Sequence, residues 1–448
     1  MSSESAVIAK ALLLCEPSPS EEREVNAVAE EAKALVDKHV TGISEIVQVE
    51  FGGSFAKGTW LHGDADIDIF FKVKPSLPIE EFEKLGRSVG QNALKAYKPR
   101  LRYSDHPYVE AYVKNVRINV VPCYDVEQGR WQSAADRSPF HTEFIKRNFD
   151  NEKRRHARLL KKFFKAAGIY GAEISTGGYS GYVSEVLVLK FGSFEGSLRA
   201  AADWQARQVV AAGDYDADIV KGFTSPIVII DPVDSRRNLG TAISPVSVGK
   251  FMLSARAFHE RPSIQFFKEN QRGQDAKKLL SNVLVVEFSH KERSPDVVWG
   301  QLKRSTNAIT RQLELADFIV LRSSCVTDEK RSAALAFLLE SLTLPPYREK
   351  KGPEVFRRND TASFLARKKK PLVAWVDKEM RVAMMVERES TDAIKFIRSL
   401  LKNAENGGVA KELIAGKLQI YSGGVRKTKG VAREAVSEVV STERLIFG

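Results

Sequence analysis

Two aspartates, Asp66 and Asp68, sit in the run FGGSFAKGTWLHGDADIDIFF, which spans residues 51–71 and ends in a stretch, DIDIFF, that is otherwise apolar and β-prone. Carboxylates are rarely buried without partners, so their place in a core-like strand needs a chemical reason. Strand side chains alternate faces. Asp66 and Asp68 therefore share one face while Ile67 and Ile69 take the other. Two carboxylates one strand repeat apart repel each other, and a divalent cation relieves the repulsion. Magnesium suits such a pair, because it takes one or two carboxylates and completes its shell with water or phosphate oxygens. A pair of such ions can activate an attacking hydroxyl and stabilise a leaving pyrophosphate. The turn just before supplies complementary groups. Gly52 and Gly53 let the backbone approach a triphosphate closely, Ser54 adds a hydroxyl and Lys57 adds a cation. This is not a Walker loop, since Lys57 precedes Gly58 instead of following the second glycine.

The elements that must hold these residues follow from the hydropathy pattern. Residues 20–39 have helical periodicity, 46–52 and 67–73 read as strands, and 78–97 as an amphipathic helix. Residues 108–113 and 116–121 read as a hairpin closed by Lys114 and Asn115. Residues 151–167 form a helix with Leu160, Phe163, Phe164 and Ala167 on one side and Arg158, Lys161, Lys162 and Lys165 in a second stripe. That stripe is compatible with phosphate binding or with a plain solvated face. Gly168 stops the helix. The polar run ENQRGQDAKK at 269–278 marks a boundary. Beyond it come strands at 282–288 and 318–322 around a helix at 297–315, a hairpin from 372–376 and 381–386, and a helix at 391–402. This order predicts a second α/β sheet with helices on one face.

The chain has 448 residues and a formal charge of +12. That length exceeds one compact core, and the positive charge points to an anionic partner such as nucleic acid. Cys15, Cys123 and Cys325 are far apart and lack metal-ligand spacing. The N-terminal stretch is not a signal peptide, and no apolar run reaches membrane-helix length. A cytoplasmic protein with no membrane partner is expected.

The GGS turn followed at fixed spacing by D-I-D resembles the polymerase-β-like nucleotidyltransferase signature. The longer string resembles the class I, archaeal-type CCA-adding enzymes, which are tRNA nucleotidyltransferases. GGSFAKGTWLHGDADID, RYSDHPYV, NVVPCY, AADRSPFH, RLLKKFFKAAGIYGAE, GGYSGYVSEVL and DPVDSRRN follow in the family's order across residues 50–240, with a weaker likeness through KKGPEVFRRNDTASFL. The resemblance implies a multidomain α/β and α chain: a nucleotidyltransferase head (1–148), a helical central nucleotide-pocket domain (149–268), and an α+β body with a basic tail that binds tRNA (269–448). It implies addition of C, C and A to the tRNA 3′ end from CTP and ATP with Mg2+. In that scheme Asp66 and Asp68 bind the metal, and Gly53, Ser54, Lys57, His141, Lys161 and Tyr170 contact the nucleotide. Arg237 helps to read the base edge. Lys350, Lys351, Arg357, Arg358, Arg367 and Lys368 are the expected RNA contacts.

One position departs from the family. Its third metal-binding carboxylate falls on Asn119, in VRINVVPCY. An amide oxygen can ligate magnesium but brings no negative charge, which puts turnover at issue. Two alternatives therefore stay open: a poly(A)- or oligoadenylate-type nucleotidyltransferase, and a catalytically dead RNA-binding homologue.

Overall fold

The computed structural model describes residues 3–103, 106–269, 273–366, 371–402, 407–424 and 428–448. The chain divides into two compact units, Met1–Arg272 with Glu443–Gly448, and Gly273–Thr442.

The first unit begins with α1 (Ser3–Cys15) and α2 (Pro19–Val40). Ser18 caps α2 by accepting from the Glu21 amide, with Pro19 at the first turn and Glu21 and Glu22 at its positive end. Then follow β1 (Ile46–Gly52), α3 (Gly53–Lys57), β2 (Asp66–Val73), α4 (Ile79–Ala93), β3 (Arg100–Tyr103), β4 (Pro107–Val113) and β5 (Val116–Tyr124). The sheet runs β1-β2-β5-β4-β3. Only the β2–β5 pair within it is parallel. The β4–β5 hairpin closes through Lys114 and Asn115, both at positive φ (48° and 68°), the signature of the turn whose twist matches its strands.

Alternation explains which face is buried. Ile67, Ile69, Phe71, Ile118, Val120, Ala111 and Val113 pack with Val28, Ala32 and Val36 of α2 and Phe82 and Val89 of α4. Asp66, Asp68 and Asn119 have the opposite parity and stand on the other face.

The helical part of this unit contains α5 (Arg137–Asn148), α6 (Asn151–Ala166), α7 (Gly181–Phe191), α8 (Phe194–Ala202), a short β6–β7 pair (Gln208–Val210, Ile227–Ile229), α9 (Ala217–Lys221) and α10 (Pro245–Glu260). Its core is aromatic. Phe163 of α6 lies within 5.8–6.4 Å, centroid to centroid, of Phe194, Phe251, Phe258, Phe266 and Phe267. Helix α1 packs into this core through Ile8, Ala11 and Cys15.

The second unit holds β8 (Val283–Ser289), α11 (Pro295–Leu315), β9 (Val320–Thr327), β10 (Ser332–Leu339), β11 (Tyr347–Glu354), α12 (Arg358–Leu365), β12 (Val373–Val376), β13 (Arg381–Glu387), α13 (Ala393–Lys402), α14 (Lys411–Ile414), β14 (Leu418–Ser422) and α15 (Gly430–Val440). Its larger sheet, β14-β8-β10-β9, is antiparallel throughout. A second, three-stranded sheet runs β11-β13-β12. Sequence periodicity predicts helices on one face, but the larger sheet is covered on both. Leu284, Val286, Leu335 and Phe337 face α11 and α13, while Val283, Val285, Ala334 and Ala336 face α15. The reason lies in VLVVEFS and SAALAFLL, which are apolar at both parities, so neither face can be left to water.

Candidate nucleotidyltransferase site

The glycine turn is a cradle. Gly53 has φ +62°, and a Cβ there would lie 1.9 Å from Asp68 Oδ2. A Cβ on Gly52 would meet the Phe70 ring at 2.4 Å. Backbone can come this close to the acid strand only without side chains. Ser54 sits in the single turn of α3, which ends on left-handed Gly58 with the Thr59 amide donating to the Ser54 carbonyl at 2.9 Å.

The parallel β2–β5 register sets Asp66 opposite Arg117 and Asp68 opposite Asn119. Asn119 Nδ2 donates to Asp68 Oδ1 at 2.9 Å. Burial pushes the Asp68 carboxyl above the usual carboxylate range, and that hydrogen bond opposes the shift. Asn119 Oδ1 is buried and has no hydrogen-bond partner. An acceptor oxygen left over beside a destabilised carboxylate fits a hard cation, and Asp68 with Asn119 Oδ1 offers part of a magnesium shell for phosphate oxygens to complete. Among the described residues no cluster of three or more His, Cys, Asp or Glu does so alone. Asp66 is differently placed. Arg117 grips both its oxygens, from Nε at 2.7 Å and from Nη2. Sequence reasoning passed over Arg117, although its parity with Asn119 puts it on the same face.

The two lysines converge on a residue that the sequence reading also missed. Lys57 Nζ donates to Glu185 Oε2 at 2.5 Å and Lys161 Nζ to Glu185 Oε1 at 2.8 Å. The basic stripe on α6 is therefore not one solvated face. Lys161 and Arg158 are buried, with Arg158 donating to the carbonyls of Trp60 (3.0 Å) and Gly58 (2.8 Å). Lys165 instead pairs with Asp64, and its ammonium lies 5.4 Å from the Tyr170 ring centre. The Tyr170 hydroxyl is within 3.0 Å of where a Cβ on Gly181 would stand, close to Lys161.

A second cluster gathers around Asp231 in DPVDSRRN. Its fully buried carboxylate pairs with His141 Nε2 at 2.8 Å and accepts from Arg237 Nη1 at 3.2 Å and the Tyr182 hydroxyl at 3.3 Å. His141 stacks on Tyr182 with ring centres 3.9 Å apart. Burial lowers the His141 pKa while Asp231 pulls it up, so the ring is held towards its neutral form. The Asp231 carboxyl stays below its usual range, because burial, which alone would raise it, is outweighed by the hydrogen bond and charge of His141. His141 and Arg237 are thus brought together by one acid.

Three family descriptions match successive stretches: a nucleotidyltransferase domain over residues 32–149, the second domain of tRNA nucleotidyltransferase over 155–268, and the C-terminal domain of CCA-adding enzyme over 281–423. The CCA-adding enzyme of Pyrobaculum neutrophilum is 36% identical over 362 residues, covering 80% of this chain and 84% of its own. The chain belongs to the CCA-adding enzyme family. The CCA-adding enzyme of Saccharolobus shibatae is 32% identical over 384 residues (85% of this chain, 89% of its own), and that of Methanothermobacter thermautotrophicus 31% over 371 (81% and 80%).

In this member of the CCA-adding enzyme family two of the basic residues marked for RNA, Lys350 and Lys351, lie on the small sheet of the second unit, and Arg357 and Arg358 stand at the start of α12. Lys350 and Lys351 lie on β11, with Lys350 Nζ 6.0 Å from the Phe364 ring centre. Lys351 faces Glu379 at 3.9 Å and Arg357 pairs with Asp360 at 3.0 Å, both exposed ion pairs of small energetic weight. Arg358 opens α12 and is exposed. Arg367 and Lys368 lie outside the described residues. No described helix is long and apolar enough to cross a membrane.

Proposed function

We infer that this chain adds C, C and A to the 3′ end of tRNA without a template, consuming CTP and ATP and releasing pyrophosphate. The observation that carries the chemistry is the Gly53 backbone pressed against Asp68, one strand away from an amide oxygen that lacks a partner. A triphosphate laid in that turn meets Ser54 and backbone amides; Lys57 and Tyr170 supply charge and hydrogen bonding along it, and Lys161, whose three N–H donors go to Glu185 and Thr59, supplies charge from behind the turn. Asp68 and Asn119 would hold Mg2+, joined by Asp66 once Arg117 releases it; the bound ion would activate the RNA 3′ hydroxyl and stabilise the departing pyrophosphate. The stacked His141 and the Arg237 guanidinium, both tied to Asp231, orient the base edge. The domain division 1–148, 149–268 and 269–448 belongs to the same reading, with the last segment gripping tRNA through Lys350, Lys351, Arg357 and Arg358. Such contacts make binding salt-sensitive, and they recognise RNA shape more than sequence.

The test uses three tRNAs, ending before CCA, after C and after CC. Each is incubated with labelled CTP or ATP and the products are sized. CTP should extend the first two and ATP only the third, with addition stopping at A. Runs of ATP addition on every substrate would mark an adenylate polymerase. Arg117 on Asp66 and the amide at Asn119 favour a second reading, an RNA-binding protein that does not turn over; it predicts no incorporation even at high Mg2+ or Mn2+.

Asn119→Asp restores a charge beside Asp68. Initial rates measured against Mg2+ concentration should reach half-maximum at about tenfold less metal, as one added charge at short range would give. An unchanged or higher requirement would remove Asn119 from the metal site.

A further inference from the structure

Three donors converge on Glu185. It is fully buried on α7 and accepts from Lys57 Nζ (2.5 Å), Lys161 Nζ (2.8 Å) and Thr59 Oγ1 (2.5 Å). Lys161 Nζ also donates to the Thr59 carbonyl at 3.1 Å and its hydroxyl at 2.9 Å. The Tyr182 ring lies against Lys57, 5.4 Å from Nζ. A lone buried ion pair balances its own charge. Here two buried ammoniums share one carboxylate, while Asp68 also acts on Lys57 through space and Glu16 and Glu22 act on Arg158. Without the shared carboxylate the two ammoniums would be left facing each other away from water.

We propose that Glu185 is a positioning residue for the incoming nucleotide: its carboxylate gathers Lys57 from α3 and Lys161 from α6 so that both ammoniums act together on the triphosphate. This rests on the reading of Lys57 and Lys161 as triphosphate ligands. Glu185 is strongly anionic: burial alone would raise its pKa, but Lys161 and Lys57 hold it down to about 2. Burial brings Lys161 down to about 8, against the upward pull of Glu185. The groups facing Lys161 are Lys57 on α3, Glu185 on α7, Arg158 on its own helix and Tyr170 from the loop that follows. Lys57 and Arg158 both push it lower, so Glu185 is the carboxylate that keeps it charged. A lysine lowered in this way is charged below pH 8 and loses its charge above it. Nucleotide affinity should therefore hold up to about pH 8 and fall beyond.

CTP affinity of the full chain, measured by calorimetry from pH 6.5 to 9.5 beside Glu185→Gln, tests this. The variant should lose affinity at a midpoint at least about one pH unit lower, with binding near pH 7.5 weaker by about tenfold. Uniformly weaker binding with an unmoved midpoint would reduce Glu185 to a structural role and overturn the proposal. If the variant does not fold, the unmodified chain decides: CTP binding at pH 8.5 should take up protons, seen as a dependence of heat on buffer ionisation, and no uptake would overturn it. Lys161→Met separates the two levels. If that variant binds CTP as the unmodified chain does, the triphosphate reading itself has failed; if it binds weakly while Glu185→Gln keeps its midpoint, only the role of Glu185 has.

Discussion

Asp68→Asn should abolish nucleotide addition while leaving the fold intact. Asp68 occupies the point where the Gly53 backbone, the strand face and the unpaired Asn119 oxygen meet. Its carboxyl is pushed upward by burial, so in the free protein it carries an unfavourable charge that a bound cation would stabilise. An amide of the same shape removes that charge and keeps the hydrogen-bonding reach to Asn119. The rate of C addition should fall by at least roughly a thousandfold, on the order of 4 kcal/mol of transition-state stabilisation. The melting temperature should hold or rise, because the substitution relieves a partly buried charge. Single-turnover kinetics beside a thermal melt checks both halves. A variant retaining a tenth of the activity would show that Asp68 does not serve the chemistry.

The second large effect is expected at Gly53→Ala. The side chain would enter at φ +62°, a conformation costing an L-residue about 1 kcal/mol or more. The heavier penalty is local: the new methyl would stand 1.9 Å from Asp68 Oδ2 and must displace either the acid or the turn. Either movement breaks the juxtaposition on which nucleotide binding depends. CTP affinity should drop by about a hundredfold or more (~3 kcal/mol). Gly63→Ala is the control: it has a similar φ of +71° but nothing within 4 Å of its Cβ position, so it tests backbone strain without the clash. Equal losses at the two glycines would mean that strain, not the close approach to Asp68, governs binding.

Much of this site could be read from residue order because strand parity is a strict rule. With a core strand at 66–73, Asp66 and Asp68 had to share a face. The hairpin at Lys114 and Asn115 was legible because residues 108–113 and 116–121 alternate on either side of a two-residue gap. Arg117 and Glu185 were harder, because their partners lie 51 and 128 residues away. Hydropathy does not register pairings over such distances. Glu185 still left a trace, as an acid inside the apolar run VSEVLVL. That is the anomaly which singled out Asp66 and Asp68, and the same argument applied to α7 would have found it. The α6 stripe shows the opposite limit. Arg158, Lys161, Lys162 and Lys165 look alike in sequence, yet tertiary packing buries the first two and leaves the others part-exposed. In the second unit, strand β10 went unread because SAALAFLL lacks alternation, as strands covered on both faces do.

Manganese binding, followed by the electron paramagnetic resonance signal of free Mn2+, tests the shared metal and nucleotide site most directly. Titrations of the unmodified chain and of Asp68→Ala are compared with and without a non-hydrolysable CTP analogue. The unmodified chain should bind Mn2+ at least about tenfold more tightly when the analogue is present, and the variant should lose that gain. Equal Mn2+ affinity in the two proteins with the analogue bound would contradict the account, because the metal and the nucleotide would then not meet at Asp68.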